Sequence, residues 1–176
     1  MKLSTGINIL GIQFGWFACV LGAASGKVWL GLLAVAIHLG LHLLITKRKA
    51  LRNELAFLLF AALVGIMVDG AKKGLGIAVY AADDGIFPAP IWILAMWLLF
   101  ATSFSTSLSW LRGKLALAAI IGAVSGPTAY LAAMRLGAVA LPLGELPTAA
   151  ILAVVWAAVL ALFAWASNKP FGGEHG

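Results

Sequence analysis

The chain has 176 residues, of which 63% are hydrophobic and 10% charged, and it carries a net charge of +6 at pH 7. An ordinary soluble domain is about 25% charged, so this composition excludes one and points to a chain solvated mainly by lipid. One compact helical bundle spanning residues 1–176 is the expected unit, and the single cysteine, Cys19, excludes an intrachain disulfide or a multi-cysteine metal centre.

Six apolar segments follow one another, at residues 5–25, 28–46, 54–71, 90–110, 115–135 and 149–167. Each is near the roughly 20 residues that a helix needs to cross about 30 Å of hydrocarbon. The predicted fold class is therefore all-α, a polytopic transmembrane bundle of six spans. The first segment is long enough to span outright and others follow it, so it reads as a retained helix rather than a cleaved secretory signal.

Between the second and third segments, residues 47–52 hold four of the 12 basic side chains, Lys47, Arg48, Lys49 and Arg52. Short loops rich in Lys and Arg stay cytoplasmic, which puts both termini on that side together with Lys2, Arg112, Lys114 and Lys169. Lys27, Lys72, Lys73 and Arg135 fall outside. Basic residues at segment ends predict contact with membrane lipids as partners and argue against nucleic acid. Trp29 and Trp92 at external ends, with Trp110 and Trp165 at cytoplasmic ends, fit an interfacial belt, whereas Trp16, Trp97 and Trp156 lie deeper and read as packing between helices.

Small residues mark close helix approach at Gly11 and Gly15 on the first span and at Ala118, Gly122 and Gly126 on the fifth. Pro127 predicts a kink in the fifth helix. Residues 74–90, with Asp83-Asp84-Gly85, Pro88 and Pro90, read as an irregular external loop, and residues 138–147 as a second one. Asp83 and Asp84 lack the further acid of an aspartate-rich diphosphate motif and read as a solvated turn.

Asp69 is the one acid well inside a span, roughly 22 Å from the cytoplasmic end of the third segment at about 1.5 Å per residue. A carboxylate at that depth has to be protonated, paired or facing a water-filled cavity. Arg135 is the expected partner, with Lys72 and Lys73 as nearer, more solvated competitors. His38 and His42 stand four apart on one face of the second span, a spacing that suits a metal only with a third ligand; Asp69 is roughly 16 Å too far along the membrane normal to supply it, so no metal is assigned. Gln13 lies near the midplane, level with His38, and pairs with it in this reading. Thr102, Ser103, Ser105, Thr106, Ser107 and Ser109 crowd the end of the fourth span, either bonding back to their own helix or lining a polar vestibule. The predicted site is an external-half cavity formed by Asp69, Tyr130 and Arg135 and floored by Gln13 and His38, with Asp69 and His38 as acid–base candidates and the others as ligand-binding ones.

The stretch Gln13-Phe14-Gly15-Trp16-Phe17-Ala18-Cys19, the run 97–110 closing on Ser107-Leu108-Ser109-Trp110-Leu111, and Gly126-Pro127 through Tyr130 to Arg135-Leu136-Gly137-Ala138 resemble a family of small bacterial inner-membrane proteins known as a domain of unknown function. The resemblance implies a multi-pass protein of the bacterial inner membrane and a link to fatty-acid-modifying enzymes encoded nearby, and supplies no catalytic residues. Three functions stay open: work on lipid or fatty-acyl groups, as enzyme or accessory factor; proton-linked transport of a small solute; or a non-catalytic membrane scaffold. Neither an ATP-binding loop nor a dinucleotide fingerprint is present, and no cofactor is implied.

Overall fold

The computed structural model describes residues 3–169, so Lys2, counted above among the cytoplasmic charges, lies outside the described residues. Six helices form: α1 (Leu3–Ala24), α2 (Trp29–Ile45), α3 (Arg48–Gly74), α4 (Ile91–Ser105), α5 (Leu115–Arg135) and α6 (Glu145–Ala166). Two short strands, β1 (Val79–Tyr80) and β2 (Val139–Ala140), lie in the α3–α4 and α5–α6 connections and pair antiparallel, Val79 opposite Ala140 and Tyr80 opposite Val139.

Four helices, α1 from Thr5, α3, α5 and α6, are long and apolar enough to cross a membrane. The other two are shorter, 17 residues in α2 and 15 in α4. At about 1.5 Å per residue α4 reaches only about 22 Å, less than the hydrocarbon thickness. It packs against α1, α2 and α3, and Trp92, Trp97, Leu99 and Phe104 on it are buried. The fourth span predicted at 90–110 thus ends early, at Ser105, and continues as a 3-10 turn at Ser109–Leu111.

Helix starts also differ from the apolar boundaries. The basic stretch 47–52 is not a loop, because α3 starts at Arg48 and carries Arg48, Lys49 and Arg52 on its first turns. Helix α6 starts at Glu145, with Pro147 in its first turn, where a missing N–H costs nothing. Helix α5 runs unbroken through Pro127.

The chain alternates end to end. At one end α1, α3 and α5 each finish on a glycine of positive φ, Gly26, Gly76 and Gly137. Ile77 N–H donates to Lys72 O and Gly76 N–H to Lys73 O, while Ala138 N–H donates to Ala133 O and Gly137 N–H to Met134 O. These paired bonds are Schellman caps, which need the left-handed conformation that glycine adopts without penalty. The α3 and α5 caps turn the chain straight into β1 and β2. At the other end Gly113 N–H donates to Ala164 O, joining the α4–α5 turn to the end of α6.

Small residues set the closest approaches. A Cβ on Gly122 or Gly126 would run into the backbone or ring of Trp156, which is why α5 and α6 form the tightest pair. Gly11 makes room for the His38 ring and Gly15 for Leu99. An aromatic layer of Phe57, Phe60, Phe100, Phe104 and Phe163 fills the middle, with ring centroids 5.5–6.1 Å apart.

Candidate functional site

Asp69 sits in the penultimate turn of α3 and is 1% exposed. Its Oδ1 accepts from the Tyr80 hydroxyl at 2.5 Å and from the Tyr130 hydroxyl, and lies 2.6 Å from Lys72 Nζ. Its Oδ2 accepts from the Trp97 indole N–H at 2.6 Å. Lys72 Nζ also donates to the Tyr130 oxygen and lies 4.1 Å from the centroid of that ring. Oδ1 thus faces three donors and Oδ2 one, so both carboxylate oxygens are engaged within the protein.

Each partner arrives by a different piece of sequence logic. Lys72 follows Asp69 by three residues and so shares its helix face. Trp97 comes from buried α4, and Gly65 leaves space for it, since a Cβ there would lie 2.5 Å from the indole. Tyr80 reaches the cluster because β1 pairs with β2, and Tyr130 stands one turn before the α5 cap. Burial, and after it the Asp69 carboxylate, push the Tyr80 phenol well above its usual range.

A cavity of about 190 Å³ opens beside the cluster, lined by Asp69, Tyr130, Trp92, Trp97, Phe100 and Trp156 among others. Trp97 and Trp156 stack with centroids 5.2 Å apart and planes 7° from parallel. The Trp156 indole N–H is buried and has no acceptor among the described residues. Trp16, Ser125 and Ala129 line both this cavity and a groove of about 800 Å³ between α1 and α5, which also contains Gln13 and Thr128.

A second polar cluster occupies the opposite half of the bundle. His42 Nε2–H donates to Glu54 Oε1 at 2.8 Å, and Ser105 donates to the same oxygen at 3.0 Å. The His38 ring lies 6.4 Å from His42, nearly parallel to it. Thr102 spends its one hydroxyl proton on Leu99 O, so His38 Nε2 is assigned as the donor across the 3.1 Å to Thr102 Oγ1. Asn8 donates to Thr102 at 2.9 Å and accepts from Ser107 at 2.6 Å. Glu54 and Asp69 are 15 residues apart on α3, about 22 Å along its axis, and the aromatic layer lies between them.

The five residues expected to form one cavity therefore divide. Asp69 and Tyr130 meet as predicted. Arg135 does not pair with Asp69; it is exposed at the end of α5, while Lys72, expected to be solvated, is 3% exposed and takes that place. Gln13 is exposed on the outer groove and does not reach His38, whose amide neighbour is Asn8, five residues earlier and on the inward face. His38 belongs to the other cluster. Trp92 is fully buried, donating from its indole to Ala81 O at 3.0 Å, and so is no interfacial anchor, whereas Trp29, Trp110 and Trp165 are exposed.

The hydroxyl-rich end of α4 serves both expected roles: Thr102, Ser103, Thr106 and Ser109 donate back to carbonyls of their own segment, while Ser105 and Ser107 donate into the second cluster and Thr102 accepts there. Asp83 and Asp84 form a turn, accepting from Gly85 and Ile86 N–H, with Asp83 2.6 Å from Lys73 Nζ. Among the described residues no three His, Cys, Asp or Glu side chains gather to hold a metal ion.

No curated protein and no solved structure matches the chain. Residues 5–162, nearly the whole bundle, match the family described as "Protein of unknown function (DUF2878)", and the chain belongs to that family.

Proposed function

We propose that this membrane protein crosses a bacterial inner membrane six times, with both termini cytoplasmic, and that it binds a lipid-like amphiphile within the bilayer to assist lipid or fatty-acyl modification. The orientation rests on the distribution of charge. Lys47, Arg48, Lys49, Arg52, Arg112, Lys114 and Lys169 lie at one end of the bundle, against Lys27, Lys73 and Arg135 on the surface of the other. The observation that carries the binding role is the aromatic cavity with the buried Asp69, paired with Lys72 behind it, in its wall, reached from a groove on the outer face of apolar helices.

In this reading the Asp69–Lys72–Tyr130 cluster is a neutral, rigid polar wall that presents fixed dipoles to the ligand. Arg135, exposed at the external end of α5, holds an anionic headgroup at the surface, and Gln13 borders the groove. The test is a mass-spectrometric lipid profile of a host lacking the gene, rescued with native protein or Asp69→Asn at equal abundance. A lipid species restored by the native protein alone supports the role. Profiles identical in all three strains sink it.

The second polar cluster supports a competing reading, a small proton-linked transporter. His38, His42 and Glu54 give one half of the bundle titratable groups that the lipid reading leaves unused. Flux into vesicles driven by a pH gradient, lost in Glu54→Gln, would favour it over lipid work.

A further inference from the structure

We infer that the cavity beside Asp69 takes an acyl chain bearing a hydrogen-bond acceptor oxygen partway along its length, admitted sideways from the bilayer through the groove between α1 and α5. The inference rests on the lipid-binding reading above and names the ligand class and its route.

Size and wall come first. The cavity of about 190 Å³ is larger than the roughly 150 Å³ of an apolar cavity that takes a benzene-sized hydrocarbon. Its walls are mostly apolar, four indoles and a phenyl ring among small and aliphatic side chains, to which methylene groups adapt and a hydrated solute does not. It holds a segment of chain, and the remainder lies in the adjoining groove of about 800 Å³.

The route follows from shared lining. Trp16 on α1 and Ser125 and Ala129 on α5 belong to both spaces, so no helix separates them. Along the groove Phe17, Ile120 and Val124 are 50%, 64% and 65% exposed on helices apolar enough to cross a membrane. These side chains face hydrocarbon, and a chain moving from bilayer to cavity stays among apolar surfaces throughout.

The acceptor follows from Trp156. Its N–H is a donor only, it is buried, and it has no partner among the described residues, whereas the polar groups of Asp69, Trp97 and Tyr130 in the same cavity are engaged with one another. A plain hydrocarbon leaves that donor unsatisfied; an oxygen on the chain satisfies it. Trp156 is the twelfth of the 22 residues of α6, so the donor lies near mid-membrane rather than at ester depth. A ligand that meets it therefore carries the oxygen along the chain, as a ketone, ether or hydroxyl does. The neutral Asp69–Lys72 pair offers no net positive charge, so the group meeting Trp156 is uncharged.

The test uses the purified full chain in nanodiscs and the methyl esters of stearic acid and of a ketostearic acid with its ketone near mid-chain, with binding read from tryptophan fluorescence and native mass spectrometry. The keto chain is expected to bind about three- to tenfold more tightly than the plain one, the worth of one neutral hydrogen bond. That preference is expected to vanish in Trp156→Phe, which keeps a ring in the stack, while Ala129→Phe, which blocks the junction of groove and cavity, weakens both ligands. Equal binding of the two esters to the native protein overturns the inference without any mutant, as does a preference that survives in folded Trp156→Phe. Absence of binding by either ester, with the Asp69-dependent lipid change still present in cells, overturns the inference and leaves the lipid-linked reading standing.

Discussion

Asp69→Asn keeps the shape of the side chain and removes its charge, and the consequence falls on Lys72. That ammonium is 3% exposed, and among the described residues its only carboxylate partner is Asp69, 2.6 Å away. Asparagine also accepts through one atom instead of two, so either Trp97 N–H or the two phenol donors would face an amide NH₂. Removing one member of a buried ion pair costs about 3–5 kcal/mol. For a chain of this length each kcal/mol moves the unfolding midpoint by about 2–4 °C, which gives a fall of about 6–20 °C. Cys19 provides the assay, since the one thiol in the chain is fully buried and becomes reactive when the bundle opens. Labelling with a fluorogenic maleimide during heating therefore reports the midpoint in detergent. The double substitution Asp69→Asn with Lys72→Met removes the stranded charge and is expected to regain most of the loss. A double mutant no more stable than Asp69→Asn alone would refute the claim that a buried uncompensated ammonium is the source of the effect.

Three further outcomes are expected. Gly122→Ala drives a Cβ into the Trp156 backbone and lowers stability by about 1–3 kcal/mol, whereas Gly40→Ala, with nothing within 4 Å, is neutral or raises it by up to about 1 kcal/mol; equal effects in the maleimide assay would contradict the packing of α5 on α6. The Tyr80 phenol, raised by burial and then by Asp69, stays protonated in the folded protein above its ordinary value near pH 10. Its contribution to stability is complete below that pH and is lost as pH rises through the higher folded value. Ultraviolet difference absorbance against Tyr80→Phe checks this, and a phenolate signal appearing near pH 10 before unfolding would refute it. Asp83 behaves in the opposite sense. Burial raises its pKa, but the Lys73 ammonium and the Gly85 N–H outweigh burial and leave it below the usual carboxylate range, so its small contribution is present above that range and fades as pH falls through the lowered value. Carbon-detected NMR titration of the Asp83 carboxyl is expected to shift back upward in Lys73→Met.

The helices were legible because each apolar run is close to a bilayer in length, and the fifth, 115–135, coincides with α5 to the residue. Depth along the membrane was legible too, which is how Asp69 and Tyr130 emerged as members of one site. What counting residues along the membrane normal leaves out is the direction in which each side chain faces. Arg135 and Lys72 lie within a few residues of the same depth as Asp69, and only the three-residue spacing of Lys72 puts it on the same face. Gln13 and Asn8 differ in the same way, one turned outward and one inward. Trp92 near a helix start looks the same whether it meets headgroups or a neighbouring strand. Tyr80 could not have been found, because two residues of β-structure give no periodic pattern, and its position depends on a partner strand 60 residues away.

The two buried clusters, one around Asp69 and one around His42 and Glu54, are each satisfied internally, and among the described residues no hydrogen bond crosses the phenyl rings between them. The clusters are thus separate polar compartments along one helix, α3. A charge passing from one to the other by way of side chains would shed its partners with only ring faces ahead, at several kcal/mol per ion.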